Sequence, residues 1–150
     1  FIKITGEVGT GKTFLCRKFM QSLGPEFVTA YIPNPNLPPR SLILALADDL
    51  DVLLEKDADQ HQLLKSLNLR LLNLAAQGKR VLLCLDEAQA IPVDSLEALR
   101  LLTNLETEKR KLLQIVLFGQ PELDQALDLP QLRQLKERIT HSFAVPRLPS

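Results

Sequence analysis

Four residues near the start of the chain have the types and spacing that hold phosphate. Gly6, Gly11, Lys12 and Thr13 satisfy the pattern G-x-x-x-x-G-K-[ST] inside GEVGTGKT. Glycines let a backbone fold so that successive amides point inward at an anion. A following helix adds the positive end of its dipole. A lysine at this place reaches the outer phosphates as a point charge, and the threonine hydroxyl suits Mg²⁺. The expected phosphate-binding stretch is Gly6, Glu7, Val8, Gly9, Thr10, Gly11, Lys12, Thr13 and Phe14. The glycine order is not the G-x-G-x-x-G of a dinucleotide fold.

A second set of reactive side chains follows the apolar run VLLCL. Asp86 and Glu87 stand side by side at its end. A strand-end aspartate beside a phosphate loop holds the magnesium shell. A glutamate one residue on is placed to polarise an attacking water. An adjacent Asp-Glu pair with no recognisable acceptor site points to hydrolysis rather than to phosphoryl transfer onto a small molecule.

These residues need a strand before the loop, a helix after it and a strand ahead of the acids. The chain supplies all three. FIKIT is a β-branched run leading into the glycines. Lys12 to Ser22 reads as a helix and Phe27 to Ile32 (FVTAYI) as a strand, followed by the proline-rich connector PNPNLPPR. Ser41 is the expected N-cap of a helix carrying Leu42, Ile43, Leu46, Leu50 and Leu53. Leu63, Leu67, Leu71, Leu74 and Ala75 form another stripe, ended by Gly78. RVLLCLDE and LLQIVLFG read as strands buried on both faces. Leu96, Leu99, Leu102 and Leu105 mark the helix between them. A helical stretch broken at Pro130 leads to a last strand, ITHSFAV. Alternating strands and helices imply an α/β, three-layer αβα fold on a parallel sheet.

The 150 residues fit one domain with a real core. Eighteen basic residues balance eighteen acidic ones, so bulk charge offers no attraction to nucleic acid or anionic lipid. Cys16 and Cys84 sit in apolar elements and read as buried, reduced thiols. No apolar run approaches the ~18 residues of a membrane span. The opening inside an apolar run and the ending PRLPS read as a piece of a longer protein. His61 and the cluster Asp48, Asp49 and Asp51 read as solvated side chains, and His141, in the last strand, as one that packs or faces solvent, rather than as metal ligands.

GEVGTGKT, LDEAQ, LFGQPEL and QLKERITHSF stand in the order and spacing of one family. The chain resembles the AAA+ ATPases of the general secretion A type, and within them most resembles the ATPase of mannose-sensitive haemagglutinin (MSHA) pilus biogenesis. The resemblance implies a P-loop fold with five parallel strands, ATP and Mg²⁺ as cofactors, and ATP hydrolysis by a core spanning 1–150 with the lid domain outside it. Thr13 and Asp86 would hold the metal and Glu87 would activate water. Gln120 would sense the γ-phosphate, and Arg138, with Arg133 as the alternative, would serve as an arginine finger in trans. It implies self-association as a dimer or ring, partners among pilus or secretion envelope proteins, and no nucleic acid. Such proteins work at the cytoplasmic face of the bacterial inner membrane, with membrane contact through regions outside this stretch. The rival readings are a DNA-transaction ATPase such as a transposition regulator, and a nucleotide switch that does not hydrolyse.

Overall fold

The computed structural model describes residues 1–6, 12–52, 59–103, 112–139 and 141–145. Five strands make one sheet: β1 (Ile2–Gly6), β2 (Phe27–Ile32), β3 (Arg80–Leu85), β4 (Leu113–Gly119) and β5 (His141–Val145). Their spatial order is β2-β3-β4-β1-β5, and every pair is parallel. The register sets Thr5 beside Gly119 and Leu85 beside Leu117. The C-terminal ends of β3, β4 and β1 therefore lie side by side along one edge of the sheet.

The apolar runs explain which strands are central. From Val81 to Leu85, and at all but Gln114 in β4, the residues are buried. Alternate side chains enter two separate cores, as the pleat requires. Val81, Leu83, Leu85, Ile115 and Leu117 pack with the leucines of five helices. These helices are α2 (Pro39–Asp49), α3 (Gln60–Ala76), α4 (Val93–Thr103), α5 (Glu122–Leu127) and α6 (Arg133–Glu137). Leu82, Cys84, Val116 and Phe118 face the other way, toward Cys16 and Phe19 of α1 (Lys12–Gln21). The expected three layers and five parallel strands are present.

Local chemistry sets the helix ends. Asp59 accepts from the Gln62 amide at 2.8 Å while Gln62 Oε1 accepts from the Asp59 amide at 3.2 Å, a reciprocal cap on α3. Gly78, at φ 78°, ends that helix, and the Lys79 amide reaches back to the Leu74 carbonyl at 2.9 Å. Ser41 is not the N-cap of α2. The helix begins at Pro39 with Pro38 as the capping residue. Proline suits the first turn, where its missing N–H has no partner to lose. Leu42, Ile43, Leu46 and Leu50 are buried, as are Leu63, Leu67, Leu71, Leu74, Leu96, Leu99 and Leu102. Leu53 and Leu105 lie outside the described residues.

Candidate functional site

The sheet edge gathers the chemistry. Gly6 is the last residue of β1, and Lys12 and Thr13 open α1 beside it. Glu7, Val8, Gly9, Thr10 and Gly11 lie outside the described residues, as do the side chains of Lys12 and Thr13. Phe14 is 69% exposed, with Lys18 Nζ 5.6 Å from its ring centroid.

Asp86 follows β3 and is only 3% exposed. Its amide donates to the Ile32 carbonyl at 3.1 Å, continuing the β2–β3 ladder past Leu85. Its carboxylate accepts from two directions. The Tyr31 hydroxyl donates to Oδ2 at 3.2 Å, and the Glu87 amide donates to Oδ1 at 2.9 Å. Burial, and then the negative field of Asp86, push the Tyr31 phenol up to about 12. Under the same carboxylate lie the two cysteines, both buried and free. The hydrogen bond to Cys84, burial and the Asp86 charge push the Cys16 thiol up, so it stays protonated at neutral pH.

Glu87 turns the chain. Its backbone is left-handed, φ 53° and ψ 44°, and it leads into a single 3₁₀ turn at Ala88–Ala90. For a residue with a Cβ this conformation costs of order 1 kcal/mol or more. Gln89 lies within that turn, and its Nε2 donates to Glu87 Oε2 at 2.6 Å. Its Oε1 accepts from the amide of Gln120, just past β4, at 3.0 Å. Gly119 gives this amide room: a Cβ there would stand 3.1 Å from Gln89 Oε1.

The fold thus brings Gly6, the start of α1, Asp86, Glu87 and Gln120 to one edge. It does not bring Arg138 there. Arg138 caps the C-terminal end of α6, ahead of β5, and its carbonyl accepts from the Phe1 backbone nitrogen at 3.4 Å. That is the opposite edge of a parallel sheet. Arg133 is mostly exposed and pairs with Glu137 at 3.5 Å. Sequence reasoning did not assign Tyr31 or Gln89 a role. Gln89 stood within the quoted LDEAQ, but its reach to Gln120 depends on which strands are neighbours. His61 and His141 are exposed. Asp48, Asp49 and Asp51 are exposed too, and Asp49 Oδ2 accepts from the Tyr31 amide at 3.0 Å. Among the described residues no cluster of His, Cys, Asp and Glu is arranged to hold a metal by itself, and no helix is long and apolar enough to cross a membrane.

Comparison with known proteins bears on the family and the fold. The AAA domain family matches residues 1–127, and the chain belongs to it. General secretion pathway protein A of Aeromonas hydrophila is 50% identical over 143 residues, which are 95% of this chain and 26% of that protein. The chain therefore spans about a quarter of the length of that relative. Two solved structures share the fold at low identity. The ORC2 protein of Aeropyrum pernix, solved as ADPNP–ADP complexes, aligns at 19% identity and TM-score 0.71, over 97% of this chain and 41% of that one. CDC6P of Pyrobaculum aerophilum aligns at 20% identity and TM-score 0.70, over 96% of this chain and 38% of that one.

Proposed function

We propose that this AAA domain binds and hydrolyses ATP, and that its cycle drives assembly of a bacterial secretion or MSHA-like type IV pilus machine. The observation that carries hydrolysis is the placement of Asp86 and Glu87 at the sheet edge shared by Gly6, the start of α1 and Gln120. The secretion role rests on the 50% identity to general secretion pathway protein A.

In this reading the GEVGTGKT amides and Lys12 take the phosphates at the N-terminus of α1. Thr13 and Asp86 hold Mg²⁺. The donor set fits a hard cation, because the Asp86 carboxylate, 3% exposed at the end of β3, and a threonine hydroxyl are both oxygen ligands. The ion, when bound, neutralises charge on the outer phosphates. Glu87 accepts a proton from the attacking water. The Gln120 side chain, at the end of the neighbouring strand, contacts the γ-phosphate or that water. Arg138 lies at the far edge from its own loop, so it acts on a second copy, in a dimer or ring. The site of action is the cytoplasmic face of the inner membrane, and the partners are envelope proteins of the machine.

The test is Glu87→Gln in the full-length protein. Removing a general base slows turnover by about 10²-fold or more, while ATP binding, read with a fluorescent analogue, stays at the parental affinity. Turnover at the parental rate would overturn the assignment of the base.

A further inference from the structure

Gln89 uses both ends of one side chain on two residues of the proposed site. The –NH₂ end meets the Glu87 carboxylate at 2.6 Å, and the carbonyl end meets the Gln120 amide at 3.0 Å. The partners fix this orientation. Turning the amide over would set oxygen against carboxylate and –NH₂ against N–H, two mismatches in place of two hydrogen bonds. The contact to Gln120 spans 31 positions in sequence and joins the ends of adjacent strands β3 and β4. Without a fixed partner, a glutamate side chain samples many rotamers, and a general base must lie within hydrogen-bond reach of its water. Gly119 extends the pattern. The space that its missing Cβ leaves is occupied by the Gln89 carbonyl oxygen and by Leu123.

We propose that Gln89 is a positioning residue: it holds the Glu87 carboxylate in place for the attacking water and ties that position to the backbone of Gln120, the phosphate-sensing residue. This rests on the hydrolysis reading above. Gln89 is not itself catalytic, since it reaches the reaction only through Glu87. It also differs from a core residue. Neither of its bonds lies within a strand ladder or helix, so losing them costs orientation rather than fold. The strain at Glu87 gives the brace a reason to exist, because a left-handed backbone sets the side chain's direction and leaves its outer torsions to be fixed by a partner.

The experiment compares the parental full-length protein with Gln89→Met, Gln89→Glu and the double variant Glu87→Gln/Gln89→Met. Methionine keeps the length and bulk of the side chain but makes neither bond. Its kcat falls about 10- to 100-fold, the scale expected when a base is misplaced, while KM for Mg-ATP and the affinity for a fluorescent ATP analogue hold. Its thermal midpoint moves by no more than about 4 °C. Glutamate keeps an acceptor for the Gln120 amide but sets a second carboxylate against Glu87, so its kcat falls at least as far. In the double variant, Gln89→Met adds no further loss to Glu87→Gln, because both act on one step. Parental turnover with Gln89→Met at the same rate would overturn the inference and leave the hydrolysis reading standing. So would a fall in kcat matched by an equal loss of nucleotide affinity, which marks a structural role. Absence of turnover in the parental protein would overturn both.

Discussion

The Tyr31–Asp86 contact can be tested by pH alone, because Tyr31 is the chain's one tyrosine and there is no tryptophan. Phenolate absorbance in the near ultraviolet then reports a single group. Burial and the Asp86 carboxylate raise this phenol from 10.0 to about 12 in the folded protein. The folded value lies above the unfolded one, so the contribution to stability is fully present below about pH 10 and is lost as pH rises through about 12. At about pH 11 the unfolded phenol is roughly nine-tenths ionised and the folded one roughly one-tenth. The difference is worth up to about 1.4 kcal/mol, an upper limit because water reaches part of the ring and screens the carboxylate. Denaturant unfolding at about pH 9 and at about pH 11 measures it. Parental chain and Tyr31→Phe share every other titrating group, so the parental chain loses up to about 1.4 kcal/mol more than the variant across that interval. Unfolding at the higher pH also releases a phenolate signal, since the phenol is neutral in the native state and ionised once the chain opens. Asp86→Asn removes the charge but not the burial. Its native phenol titrates below the parental value and still above 10. A native phenol that titrates at its ordinary value, and does not respond to Asp86→Asn, would refute the placement of the hydroxyl against the carboxylate.

Two glycine substitutions separate chemistry from stability. Gly119→Ala places a Cβ 3.0 Å from Leu123 Cδ2 and 3.1 Å from Gln89 Oε1. The Gln89 end is the one able to swing away, so turnover falls toward the Gln89→Met level, with about 1–3 kcal/mol of stability lost to crowding in denaturant melts. Gly78→Ala meets no atom within 4 Å but must hold φ 78°. It costs about 1 kcal/mol of stability by the same measurement and leaves ATP turnover unchanged.

Much of the fold was legible because its physics is local. VLLCL is apolar without a break and LQIVLF is interrupted only by Gln114, as a strand covered on both faces requires, and the structure places β3 and β4 there. The leucine stripes of α2, α3 and α4 marked buried faces for the same reason. The start of α2 was misread because Ser41 is a good cap by type, while the cap is Pro38, three residues earlier, followed by Pro39 in the first turn. Glu7 to Gly11 of the phosphate-loop pattern lie outside the described residues, whereas the place of the Asp86-Glu87 pair was also legible, since it is a short pattern at the end of a strand. Gln89 and Tyr31 were not. Their partners lie 31 and 55 positions away, and only the order β2-β3-β4-β1-β5 brings them within reach. The nearest sequence signal for Gln89 is a polar residue two positions past the acids, paired with a Gly-Gln at the end of the next apolar strand. Nothing in a lone glutamate announces a left-handed backbone.

Strand adjacency therefore does more than carry the motifs. The loop, the acids and the Gln120 position each end a different strand, and their meeting depends on β4 lying between β3 and β1. Gln89 then fastens two of those ends at the atoms where the chemistry is proposed to occur. The same topology separates Arg138 from the loop of its own chain, because the start of a parallel strand and its end lie at opposite edges of the sheet. If Arg138 acts on phosphate, the phosphate belongs to another copy. A folded single copy then holds every proposed element of the site except that one, and turnover in excess of a basal rate becomes a property of the assembly.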